Sequence, residues 1–92
     1  MGLDMKKWAL NWLKGSVRSY LNGGTSKKIV LGRMRKCYEH YGVSLHEIRL
    51  LIESVTIDPS SGISLNNEEK RKILDKLFEE FEGSLKKSFL IS

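Results

Sequence analysis

Ninety-two residues, 40% hydrophobic and 29% charged, describe one folded domain with a modest core and exclude a disordered chain. The single cysteine, Cys37, excludes an internal disulfide, and the apolar runs fall far short of the ~20 residues of a membrane span. The net charge of +5 is unevenly spread: residues 1–42 hold nine Lys/Arg against Asp4 and Glu39, whereas residues 43–92 hold seven against nine acids. A basic first half suits nucleic acid, an anionic membrane surface or an acidic protein patch.

The first expected helix runs from about Asp4 to Leu21. Met5, Trp8, Ala9, Trp12, Leu13, Val17, Tyr20 and Leu21 recur at helical spacing, and Lys7, Asn11, Lys14 and Arg18 form a polar stripe. Two tryptophans beside lysines also describe a helix lying on a membrane, but the expectation is that they fill the core. Asn11 and Lys14 interrupt the N-terminal apolar run, and Lys6 stands where a myristoylation signal wants Ser or Thr. A cytoplasmic location is therefore expected. Asn22-Gly23-Gly24 ends the helix.

The second helix is expected over 26–41, capped by Thr25 or Ser26. Val30, Leu31, Met34, Cys37, Tyr38 and Tyr41 share its apolar face, and Gly42 stops it. The third, over 45–56, opens on a capping box of Ser44 and Glu47, with Val43 and Ile48 placed as a hydrophobic staple. Asp58-Pro59 closes it, because proline disfavours helical geometry in the residue before it. The fourth, over 67–82, starts at Asn66 with Glu69 as capping partner and carries Ile73, Leu74, Leu77, Phe78 and Phe81. Gly83 costs ~1 kcal/mol inside a helix, so residues 83–92 read as a tail. Four amphipathic helices with short connections predict an all-α, antiparallel four-helix bundle in one domain.

The residues offer little for catalysis. His40 and His46 fall on solvent faces without partners at ligand spacing, no glycine-rich phosphate loop or nucleophile motif appears, and Asp75, Glu79, Glu80 and Glu82 line a solvated face. No cofactor or metal is expected. Asp58, Ser60, Ser64, Leu65 and Glu69 imitate an EF-hand spacing, but Gly62 stands one position early and only two carboxylates contribute, so a loop and a cap are expected. Tyr41-Gly42-Val43-Ser44 with Ile48 and Leu51 imitates a helix-turn-helix, which makes a small DNA-binding protein the alternative. Bulky Tyr38, and Glu47 and Glu53 on the would-be recognition helix, argue against it.

Two surface sets remain. Lys86, Lys87, Phe89, Leu90 and Ile91 form a charged–apolar end suited to partner recognition, and Lys27, Lys28, Arg33 and Lys36 form a basic face suited to orienting the chain near a membrane.

Val30-Leu31-Gly32, Lys36, Gly42 with Ser44, then Gly62-Ile63-Ser64-Leu65-Asn66 and Arg71-Lys72-Ile73 follow one another in a telling order. From about Lys28 to Leu77 the chain resembles the immunity proteins of pediocin-like (class IIa) bacteriocins, of the mundticin/enterocin A immunity type. The resemblance implies an antiparallel four-helix bundle acting from the cytosolic side. Its implied partner is the membrane part of the mannose phosphotransferase permease, seized by the bacteriocin and opened as a pore. The immunity protein would bind that complex and stop the leak, with specificity in the C-terminal half.

Overall fold

Each helix begins where a side chain answers the unpaired N–H groups of its first turn. In the computed structural model, which describes residues 4–59 and 64–91 with side chains through 87, these starts define α1 (Met5–Leu21), α2 (Lys27–His40), α3 (Leu45–Thr56) and α4 (Asn67–Ile91). Asp4 accepts from the Lys7 N–H at 3.2 Å and Ser26 from the Ile29 N–H at 3.3 Å. Ser44 and Glu47 exchange two bonds of 3.1 Å, and Asn66 and Glu69 exchange bonds of 3.1 and 2.8 Å, so both expected capping boxes form. After α2 the chain turns through Gly42 at φ 68°, a left-handed conformation open to glycine, and the Val43 N–H donates back to the Cys37 carbonyl at 3.2 Å.

The described residues are all-α, with four helices around one hydrophobic cluster. Ala9, Leu13 and Val17 enter it from α1, and Val30, Met34 and Cys37 from α2. Ile48, Ile52 and Val55 come from α3, and Leu74, Leu77 and Phe81 from α4. The principal contacts are α1 with α2 and α3, and α4 with α3 and α2. Ala9 meets Cys37 and Ser16 meets Arg33, so pairs run in opposite order along α1 and α2. The same holds for α3 and α4, where Arg49 meets Asp75 and Glu53 meets Arg71. Along α1 and α3 the order is shared, from Lys6–Glu47 to Arg18–Asp58. Lys27 and Tyr38, near opposite ends of α2, both reach α4 at Glu80 and Phe81, so α2 crosses α4 rather than running along it.

The fourth helix does not stop at Gly83. It continues to Ile91, which corrects the expected end near 82. The ~1 kcal/mol that glycine costs is a local term. Phe81 is buried on one side of it and Leu85 packs on the core on the other, and seating both requires unbroken helix between them. The Ser84 hydroxyl adds a bond to the Phe81 carbonyl at 2.9 Å.

One polar knot lies under the end of α3. Asp58 pairs with Arg18, and the buried Lys70 ammonium donates to the Asp58 carbonyl at 3.2 Å. It ties α1, the α3–α4 connection and α4 together.

The acid side of stability is carried in part by the α3 cap. Hydrogen bonding from Lys6, then from the Ser44 N–H, holds the Glu47 carboxyl down at about 2, against an ordinary 4.5. A depressed folded value contributes stability that is present above the unfolded value and lost as pH falls through the folded one. Arg71 lowers Glu53 in the same direction. Thermal melts are therefore expected to show the midpoint falling from about pH 5 towards pH 2. Glu47→Gln is expected to lower the midpoint at pH 7 and to flatten that acid limb. An acid limb as steep as that of the parent chain would remove Glu47 from the account.

Candidate functional site

The periodicity of α1 places Met5, Trp8 and Trp12 on successive turns of one edge, beside α2. The expectation that both tryptophans fill the core is corrected here. Trp8 is 51% exposed, and Trp12 is half-buried against the core edge. The two indoles stack with centroids 5.6 Å apart, and Tyr41 meets Trp8 edge-on at 5.8 Å. The Arg33 guanidinium covers Trp12 at 5.3 Å. Its Nη1 donates to the Ser16 hydroxyl at 2.8 Å, and that hydroxyl donates to the Trp12 carbonyl at 3.0 Å. The cation is thus fixed by stacking and by a buried hydroxyl, giving a preorganised row of Tyr41, Trp8, Trp12 and Arg33.

The expected basic face divides. Lys27 turns towards α4 and pairs with Glu80 at 3.0 Å. Arg33 joins the aromatic row. Lys28 and Lys36 are exposed, and among the described residues neither has an acidic partner. Arg33 and Lys36 therefore stay with the α1 side of α2, Lys28 falls on its outer row with Gly32, Arg35 and Glu39, and Lys27 faces α4. Of the expected recognition set, Lys86 and Lys87 are exposed on the last turns of α4. The backbone of Phe89, Leu90 and Ile91 is helical, which replaces the expected tail; their side chains lie outside the described residues.

In the helix-turn-helix reading α3 would meet DNA. In the structure its charged side chains close on its neighbours: Glu47 on Lys6 at 2.8 Å, Arg49 on Asp75 at 2.9 Å and Glu53 on Arg71 at 2.8 Å. His46 and Leu50 are its exposed outward groups. The two carboxylates of the EF-hand-like spacing are engaged as well, Asp58 by Arg18 and Glu69 by the Asn66 cap. Ser60 and Gly62 lie outside the described residues. Cys37 is buried, donates to the Ala9 carbonyl at 3.7 Å, and has its thiol pushed up by burial, the state of an inert core cysteine.

Between α1 and α3 lies an open groove of about 330 Å³, lined by Leu10, Lys14, Glu47, Leu50, Leu51 and Ser54, among others. Its floor is apolar and its rim carries both charge signs. No helix among the described residues is long and apolar enough to cross a membrane.

The aromatic row and the groove are the surface features that sequence reasoning missed. Row formation depended on Ser16, a buried serine that reads as an ordinary small residue until Arg33 is seen above it. Searches against protein-family models, curated proteins and solved structures found no match to this chain.

Proposed function

We propose that this chain is a bacteriocin immunity protein that binds, from the cytosolic side, a bacteriocin-bound mannose phosphotransferase permease and blocks leakage through it. The observation that carries the reading is the aromatic–basic row on α1 and α2, in which Trp8 stands exposed on a stacked base of half-buried Trp12, Tyr41 and Arg33. Trp, Tyr and Arg are the residue types that dominate binding energy at protein interfaces. The order of residues from Lys28 to Leu77 supplies the family likeness, and the basic first half suits a site at the inner face of a membrane. Lys86 and Lys87, with Phe89, Leu90 and Ile91 beyond them, would add partner selectivity from the end of α4.

Expression of the chain in a bacteriocin-sensitive strain tests this. Survival is expected to rise against at least one pediocin-like peptide, and Trp8→Ala is expected to reduce that protection. Full sensitivity across a broad panel, with the chain folded and present in the cell, would count decisively against it.

A further inference from the structure

We propose that the α1/α2 face is itself a lipid-binding surface, seating the chain on the anionic headgroups of a bilayer. Met5, Trp8, Trp12, Gly15 and Ser19 follow one another along the α2 side of α1. Ile29, Arg33, Lys36 and His40 follow one another along the α1 side of α2. Contacts between the two helices run in opposite order, so the two stripes lie side by side as one face.

Three properties of that face select a bilayer. The first is charge: neither stripe holds an Asp or Glu, and the nearest acids are committed elsewhere, Asp4 to the cap of α1 and Glu39 to Arg35 at 3.1 Å. Arg33 and Lys36 therefore present positive charge on this face with no carboxylate in either stripe, and each such charge near an anionic surface adds to attraction. The second is the aromatic chemistry. Among the described residues neither indole N–H has a hydrogen-bond partner, so these donors remain for headgroup oxygens or water while the exposed Trp8 ring enters the acyl boundary. The third is shape. Gly15 has open space where a side chain would stand, and the apolar groups Met5, Trp8 and Ile29 are exposed. Apolar groups set beside cations on one face are the layout by which a helix lies in a lipid interface.

The purified full chain, sedimented with phosphatidylcholine vesicles containing phosphatidylglycerol, tests this. Binding is expected to rise with the phosphatidylglycerol fraction, to weaken with salt, and to shift tryptophan emission to the blue. Trp8→Ala is expected to lower the partition coefficient about tenfold. Lys36→Glu, a two-charge change at an exposed site, is expected to lower it roughly thirtyfold. Ile73→Ala on α4 serves as the control and is expected to leave it unchanged. Absence of binding to anionic vesicles, equal binding to pure phosphatidylcholine, or indifference to both substitutions in chains of unchanged helicity overturns the proposal. Self-association through this face without lipid does so too. The inference goes beyond the permease reading and is separable from it. A chain that protects cells yet ignores vesicles sinks only the lipid face, and one that binds vesicles without protecting cells sinks only the immunity reading.

Discussion

Phe81→Ala is expected to remove about 3–5 kcal/mol of stability, the cost of emptying a large aromatic site that cannot fully collapse. Phe81 is 1% exposed and its ring is met edge-on by Tyr38 at 6.2 Å, across the crossing of α2 and α4. Phe81 joins that crossing to the one hydrophobic cluster, in which Val30 and Met34 of α2 and Leu74 and Leu77 of α4 are also buried. A domain of this size holds on the order of 5–10 kcal/mol in all. The thermal midpoint is expected to drop by about 15–30 °C. Phe81→Leu, which keeps much of the volume, is expected to cost about 1–1.5 kcal/mol. Urea titration with the slope unchanged would read both losses directly. A Phe81→Ala loss below about 1 kcal/mol would mean that the α2–α4 crossing is not part of the core.

Helix starts were readable because caps are local: Ser44 with Glu47, and Asn66 with Glu69, act through atoms three residues apart. Core positions such as Leu13, Met34, Ile52 and Leu77 were readable because burial follows the helical period. Gly83 misled because its cost is local whereas the gain that overrides it comes from Phe81 and Leu85 reaching a core built by other helices. Trp8 misled for a geometric reason. The apolar arc of α1, from Met5 to Leu21, is wider than the core can cover, and periodicity does not say which edge is left outside. Lys27 lies roughly opposite Lys36 around α2, so the helical period already splits the expected basic face. Which helix Lys27 meets there, through Glu80 on α4, is decided by tertiary packing that no spacing within α2 encodes.

Lys70 gives the sharpest case of a residue whose weight is set at a distance, and Lys70→Glu is expected to cost about 3–5 kcal/mol, the range for leaving a buried charge uncompensated. In the sequence it is one more lysine in the first turns of a charged helix. In the structure it is 3% exposed, and its ammonium reaches the Asp58 carbonyl at 3.2 Å. The Asp58 carboxylate is held by Arg18. A carboxylate introduced at position 70 would face a carbonyl oxygen and lie near a second carboxylate, with one cation left for both. Repulsion would pull the α3–α4 connection away from α1. Lys70→Met keeps the buried stem and loses the single charge-assisted bond, so it is expected to cost about 1–2 kcal/mol. Chemical denaturation of the two variants beside Arg18→Ala and the double variants separates the terms. Coupling of Lys70→Glu to Arg18→Ala, in excess of the sum of the single losses or short of it, is expected because both act on Asp58. Equal, small losses for glutamate and methionine at position 70 would show that the ammonium is not held in the knot and that the α3–α4 connection is anchored by Arg18 alone.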